Sequence, residues 1–157
     1  MKEIYNNLLD LAEAGEFDII IHGCNCFHTM NSGIAKQIRE RYPDVYEADK
    51  IFSKYGDASK LGTITYKDLG DFVVVNCYTQ FRYGYGGERY VEYGAVRSCL
   101  KELKSLSEKV KKNKAIEKIR IGIPLIGCGK AGGDWEIVKK IVNDELKEYD
   151  VTIVRFL

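Results

Sequence analysis

The sequence has almost no excess of either charge. It holds 24 Lys and Arg against 23 Asp and Glu, which gives a net charge of +1 at pH 7. A protein that binds nucleic acid along its phosphates needs many more cations than anions, so the composition argues against a general nucleic-acid-binding protein. We interpret the one basic run, residues 109–114, as the solvated end of a helix rather than a patch for polyanions, because cations are favourable there.

Long apolar runs are also missing. No run approaches the roughly 20 residues that cross a bilayer, and the N-terminus lacks the pattern of a signal peptide. We therefore expect an intracellular protein with no membrane partner.

A disulfide framework is the third absence. The cysteines are odd in number, and their spacing is not that of a small disulfide-linked scaffold. They are Cys24, Cys26, Cys77, Cys99 and Cys128. Their spacing is also a poor zinc signature. We expect small, reduced, buried thiols rather than a metal site or a thiol nucleophile.

The chain shows no internal repeat, low-complexity tract or domain-sized linker, and we expect a single domain over residues 1–157. Apolar periodicity predicts strands at residues 2–5, 18–22, 63–66, 72–78, 119–126 and 151–154, and helices at 8–14, 33–42, 44–54, 90–112 and 135–147. Strands that alternate with helices are typical of α/β proteins. The expected fold is a three-layer α/β/α domain with a central mixed or mainly parallel sheet.

Two glycine-bearing loops each follow an apolar strand and lead into a helix, at residues 22–35 and 127–134. Such loops offer unpaired backbone N–H groups to an anion, helped by the helix dipole. In α/β folds ligands bind at the carboxyl ends of the strands, from which the segment 79–89 also departs. We therefore expect one cleft that holds the diphosphate of a nucleotide-like ligand.

These loops resemble those of the macro domain family, which binds ADP-ribose. The resemblance covers essentially the whole chain and is most specific in His-Gly-Cys-Asn at 22–25, Met-Asn-Ser-Gly-Ile-Ala at 30–35, and Ile-Pro-Leu-Ile-Gly-Cys-Gly at 123–129 with Trp135. The chain is most similar to the branch that holds the yeast-type ADP-ribose-1''-phosphate phosphatase and the terminal ADP-ribose glycohydrolases. Phage-encoded proteins that process ADP-ribose-1''-phosphate are also similar, which would imply the host cytoplasm as the location.

The resemblance implies a set of ligand contacts. Asn25 would bind the distal ribose, surrounded by Met30, Asn31, Ser32, Gly33, Ile34 and Ala35. Backbone amides would hold the diphosphate over Gly127, Cys128, Gly129, Lys130, Ala131, Gly132 and Gly133. Asn7 would accept a hydrogen bond from the adenine amino group. The ribose and adenine side would be lined by Tyr78, Thr79 and Gln80, with residues 79–89 as a flap.

Two departures from the family pattern concern catalysis. Gln80 stands where glycohydrolases of this branch use a lysine, and Ala131 where one type has an aspartate. A glutamine side chain cannot form the Schiff base or the cationic contact that a lysine provides. The resemblance therefore favours hydrolysis of ADP-ribose-1''-phosphate to ADP-ribose and phosphate. His22, at a strand end facing the cleft, would activate water or protonate the leaving hydroxyl, and Asp134 is a second candidate for proton transfer.

Several alternatives stay open at this point. His22 is equally a core histidine, Asn25 can close a turn through its own backbone, and Asp134 can cap a helix. The aromatic and arginine-rich residues 81–90 could stack single-stranded bases. The protein could also remove ADP-ribose from protein or nucleic acid, or bind it as a reader without catalysis.

We expect a monomer with no metal or organic cofactor. Its partners would be ADP-ribose or its 1''-phosphate and ADP-ribosylated protein, with nucleic acid only as an ADP-ribosylated acceptor.

Overall fold

A six-stranded sheet forms the centre of the computed structural model, which describes residues 1–51 and 54–156. The strands are β1 Lys2–Tyr5, β2 Ile19–Cys24, β3 Ile64–Asp68, β4 Val73–Tyr78, β5 Arg120–Ile123 and β6 Asp150–Arg155. The helices are α1 Leu8–Glu13, α2 Gly33–Arg41, α3 Pro43–Lys50, α4 Tyr93–Asn113 and α5 Trp135–Glu145, with a 3-10 turn at Ala58–Lys60. None of these described helices has the length and apolar character needed to cross a membrane.

The sheet order is β1-β6-β5-β2-β4-β3, and only the β3–β4 pair is antiparallel. Ile19 pairs with Val73 of β4 on one side and with Ile121 of β5 on the other. This register places the carboxyl ends of β2, β4 and β5 along one edge, from which both glycine loops leave. The predicted mixed sheet is confirmed.

Both faces of the central strands are buried, as the β-branched runs predict. On one face, Ile20 and Val74 pack in a cluster with α1, α2 and α3 through residues such as Leu9, Ile38 and Val45. On the other face, Ile19, Ile21 and Val75 pack with α4 and α5 through Leu100, Leu103 and Val138. The predicted three-layer arrangement is therefore confirmed.

Several predicted boundaries shift for local reasons. α3 begins at Pro43, because proline suits the first turn of a helix, and residues 52–53 of the predicted helix 44–54 lie outside the described residues. β5 ends at Ile123, because Pro124 has no N–H to donate to the sheet. α4 begins at Tyr93 rather than Tyr90. The N–H groups of Tyr90 and Val91 instead donate to the Ala131 carbonyl at 2.7 and 3.1 Å.

Candidate functional site

A cavity lies at the carboxyl edge of the sheet, where the two glycine loops meet residues 79–89, the segment that the sequence predicts as a flap and that we call the flap. Its lining comes from residues 23–25, 29–32 and 35 of the first loop and α2, from Asp49, from Gln80 and 83–85, and from residues 130–131. The cavity thus brings together eight of the predicted ligand residues, which are Asn25, Met30, Asn31, Ser32, Ala35, Gln80, Lys130 and Ala131. Their contact with a ligand stays a prediction.

The first loop is fixed by hydrogen bonds within it and to two helices. The Asn25 side chain donates to Thr29 Oγ1 at 2.7 Å and accepts from the Phe27 N–H at 2.8 Å, so it closes the turn while lining the cavity. The Tyr46 hydroxyl donates to the His28 carbonyl at 2.9 Å. His28 and Met30 have φ of 56° and 43°, a conformation that non-glycine residues rarely adopt. Such local strain persists only where the surroundings hold it, which fits a preformed binding loop.

The second loop turns tightly because of its glycines. Gly132 has φ of +75°, and a Cβ there would lie 2.7 Å from the Glu88 carbonyl oxygen of the flap. Within the loop, the Gly132 N–H donates to Gly129 and the Gly133 N–H donates to Gly127, while the Cys128 N–H donates to Leu125. These three amides are therefore already engaged within the loop, and the cradling of a diphosphate by residues 127–133 stays a prediction. Within residues 1–51 and 54–156, no hydrogen bond engages the remaining amides, those of Gly127, Gly129, Lys130 and Ala131.

The flap connects the two loops. At its start, the Phe81 carbonyl accepts from the Cys26 N–H at 2.9 Å. At its tip, the Tyr85 ring lies 4.6 Å from the Lys130 ammonium, so the flap contacts both sides of the cavity. Arg82 pairs with Glu88 at 2.6 Å within the flap. The flap therefore lines the cavity and contacts both glycine loops, while its closure over a ligand stays a prediction.

His22 does not face the cavity, and the prediction that it does is wrong. Its side chain is fully buried, and Nε2 lies 2.6 Å from Asn76 Oδ1. The Asn76 amide donates to the Val45 carbonyl, so its oxygen is the acceptor and His22 Nε2 carries the proton. Burial lowers the pKa of His22 to about 4, against the hydrogen bond to Asn76, which raises it. The imidazole is therefore neutral at pH 7 and belongs to the core.

Other predicted residues have structural roles in this arrangement. Tyr78 is fully buried, and its hydroxyl donates to Asp49 Oδ1 at 2.7 Å, so the prediction that it lines the cavity is wrong. Asp134 caps α5 by accepting from the Glu136 N–H at 2.9 Å, and Asn7 caps α1 in the same way. Thr79 is also buried, and its Oγ1 has no hydrogen-bond partner within the described residues. The predicted ligand residues outside the lining are Asn7, Gly33, Ile34, Tyr78, Thr79, Gly127, Cys128, Gly129, Gly132 and Gly133.

Asp49 lines the cavity from α3, although only 1% of it is exposed and no sequence motif above includes it. Its Oδ1 accepts from Lys60 Nζ at 3.1 Å, and the same ammonium donates to the Asp49 carbonyl at 2.6 Å. Lys60 is 6% exposed and also lies 4.1 Å from the Tyr78 ring. One signal was available: Asp49 follows the buried Val45 by four residues, which puts a carboxylate on the buried face of the helix.

The cysteines near the loops are poor nucleophiles. Burial raises the pKa of the Cys24 thiol well above its usual range, and the nearby Asp49 charge acts in the same direction. Burial also raises the pKa values of Cys26 and Cys128 to about 11. Because the thiolate is the reactive form, these thiols are inert at neutral pH.

Comparison with known proteins gives consistent results. The family model described as Macro domain matches residues 21–142 of the chain. A protein of Enterobacteria phage T4, described as an uncharacterized 17.5 kDa protein in the tk-vs intergenic region, is 38% identical over 139 residues, covering 86% of this chain and 84% of its own.

Two solved structures share the fold. The macrodomain of Mycobacterium tuberculosis DarG is 20% identical, with a TM-score of 0.73 and coverage of 98% of this chain and 95% of its own. Thermosipho africanus DarTG, solved in complex with ADP-ribose, is 19% identical, with a TM-score of 0.63 over 90% of this chain and 38% of its own. The family match and the phage relative show that the chain belongs to the Macro domain family.

Proposed function

We propose that this protein binds ADP-ribose in the cavity beneath the flap and hydrolyses ADP-ribose-1''-phosphate to ADP-ribose and phosphate. The observation that carries the proposal is the meeting of two differently built loops in one cavity. One loop presents backbone amides and an ammonium group, and the other presents the Asn25 side chain. The structural relative from Thermosipho africanus holds ADP-ribose, and the fold here is the same.

The second loop is suited to the diphosphate. The amides of Gly129, Lys130 and Ala131 are available to an anion, and the Lys130 side chain supplies a positive charge beside them. Backbone N–H groups that converge in a turn bind phosphate without needing a cationic site. The main-chain hydrogen bonds of this loop fix the amide directions before a ligand arrives.

The first loop is suited to the distal ribose. Asn25, Asn31 and Ser32 place amide and hydroxyl groups along the cavity, while Met30 and Ala35 contribute apolar surface. A sugar needs this combination, because its hydroxyls hydrogen-bond while its carbon face is apolar. Arg39 donates to the Thr29 carbonyl at 2.9 Å and to Asn31 Oδ1 at 2.7 Å, which holds the loop against α2.

Isothermal titration calorimetry tests the binding site. ADP-ribose is expected to bind. AMP lacks the distal ribose that the first loop is suited to hold, and ribose-5-phosphate carries one phosphate of the diphosphate and no adenosine, so each is expected to bind at least about tenfold more weakly. Equal affinity for AMP and ADP-ribose would contradict the two-loop site. Phosphate release from ADP-ribose-1''-phosphate, followed with a coupled colorimetric assay, tests the reaction.

A second candidate function is the release of ADP-ribose from a modified macromolecule. The observation that favours it is the exposed aromatic surface at the cavity mouth, where Tyr83 and Tyr85 line the cavity and are 46% and 76% exposed. Such rings suit contact with a larger acceptor. Incubation with mono-ADP-ribosylated protein and nucleic acid, with chromatography of free ADP-ribose, distinguishes this function from phosphate release.

A further inference from the structure

Lys130 differs from the paired lysines of this protein in what its ammonium group contacts. Several lysines hold their ammonium 2.9–3.2 Å from a carboxylate oxygen, and these are Lys50, Lys60, Lys114, Lys139 and Lys140. The Lys130 ammonium instead lies 4.6 Å from the centre of the Tyr85 ring. In the part of the chain that the structure describes, no carboxylate forms an ion pair with Lys130.

An aromatic ring holds a cation in a different way from a carboxylate. The ring attracts the cation through its quadrupole and carries no net charge, so the contact does not neutralise the ammonium group. A lysine side chain loses rotamer freedom when its ammonium binds an anion. Because the Tyr85 ring already restricts Lys130, less of this freedom is lost when a ligand binds, and the full positive charge is still available.

Both groups are accessible to a ligand. Lys130 is exposed, Tyr85 is 76% exposed, and both residues line the cavity. The amides of Gly129, Lys130 and Ala131 make no hydrogen bond to any described residue. An anion bound by these amides therefore lies beside the side chain that Tyr85 restricts.

The flap that carries Tyr85 has a fixed base. Gln80 pairs with Val91 in an antiparallel bridge, which closes the neck of the flap. The Val91 N–H donates to the carbonyl of Ala131 at 3.1 Å, so the neck is joined to the residue next to Lys130. The ring and the ammonium group therefore belong to one connected structure.

We infer that Tyr85 is a positioning residue, whose ring holds the Lys130 ammonium at the second loop for the diphosphate of the ligand. The inference rests on the proposed function. A ligand with a diphosphate then meets the free amides of the second loop together with a cation that is already in place. A ligand without an anionic group at this loop gains nothing from the contact, so Tyr85 contributes to selectivity for the diphosphate.

A double-mutant cycle measured by calorimetry tests the contact. A cation–π contact at an exposed site corresponds to about a two- to fivefold change in an equilibrium constant. Tyr85→Leu is therefore expected to raise the Kd for ADP-ribose about threefold at about 0.05 M salt. In Lys130→Met, which lacks the cation, the same change is expected to raise the Kd less than about 1.5-fold. A rise of equal size with and without the cation, or no rise in Tyr85→Leu alone, overturns the inference.

A conservative variant and a control separate the ring from other properties of Tyr85. Tyr85→Phe keeps the ring and removes the hydroxyl, so it is expected to keep the Kd within about 1.5-fold of that of the unchanged protein. A threefold rise in Tyr85→Phe overturns the inference, because the hydroxyl would then be the group that acts. Tyr66→Leu is the same change at a β3 position that is 48% exposed and is not among the residues that line the cavity. It is the matched control and is expected to leave the Kd unchanged.

Inorganic pyrophosphate separates the inference from the proposed function, because it carries the diphosphate without either sugar. Its binding is followed by NMR titration of the unchanged protein and of the same variants. Pyrophosphate binding that depends on both Tyr85 and Lys130 supports the inference even if ADP-ribose does not bind, a result that overturns the proposed function. ADP-ribose binding that is indifferent to Tyr85 overturns the inference and leaves the proposed function in place. A protein that binds neither compound overturns both.

Discussion

Lys60→Met is expected to destabilise the protein strongly, although it removes a single charge and keeps the aliphatic stem. The Lys60 and Asp49 side chains are 7% and 1% exposed, and their charged atoms lie 3.1 Å apart. The ammonium also donates to the Asp49 carbonyl at 2.6 Å and contacts the Tyr78 ring. Without the Lys60 ammonium the buried Asp49 carboxylate loses its cationic partner, which costs about 3–5 kcal/mol.

The assay is urea unfolding followed by circular dichroism. With a slope of about 2 kcal/mol per molar urea, the expected loss lowers the midpoint by about 1.5–2.5 M. The double variant with Asp49→Asn removes both charges and is expected to recover more than half of the loss. Lys140→Met, which removes a partner of Asp144 from an exposed pair, is the control and is expected to leave the midpoint unchanged. A loss below about 1 kcal/mol in Lys60→Met would refute the reasoning, because the pair would then behave like one at the surface.

Three further changes have expected outcomes. Burial lowers the pKa of His22 from 6.5 to about 4, so as the pH falls the unfolded state binds a proton at this histidine before the folded state does. The contribution of His22 to the free energy of unfolding is therefore retained above pH 6.5 and is about 2 kcal/mol lower at pH 5. Urea unfolding at both pH values measures this loss, and His22→Gln is expected to remove it. Gly132→Ala places a Cβ 2.7 Å from the Glu88 carbonyl at a φ of +75°, and is expected to cost about 1–3 kcal/mol in thermal unfolding. Its control, Gly129→Ala, meets no atom within 4 Å among the described residues and should be neutral. Lys130→Met is expected to weaken ADP-ribose binding about fivefold at 0.05 M salt and less at 0.5 M, as measured by calorimetry, and an effect that does not change with salt would contradict a charge contact with the diphosphate.

The sequence predicted the fold because its signals are local. The β-branched runs at 18–22 and 72–78 mark strands covered on both faces, and the helices between them require parallel crossovers. Glycine loops that follow such strands must lie at one edge of the sheet. The meeting of Asn25 with Lys130 and Ala131 at one cavity follows from this topology.

The surroundings of His22 and Asp49 could not be predicted in this way. Strand alternation puts Ile20, His22 and Cys24 on one face of β2, but both faces are apolar, so the pattern does not show which layer covers His22. The contacts of Asp49 join it to Lys60, 11 residues away, and to Tyr78, 29 residues away. Both contacts join different elements of the fold, so the periodicity of a helix or a strand does not predict them.

The amino-acid sequence by itself thus determined the elements, their order and the edge of the sheet where the loops meet, because these depend on residue type and on spacing over one or two turns. Only the tertiary structure decided that His22 is turned into the core and that Asp49 reaches the cavity. The direction of a side chain is set by the packing of layers that are distant in the chain, and a buried charge becomes stable only where that packing supplies its partner.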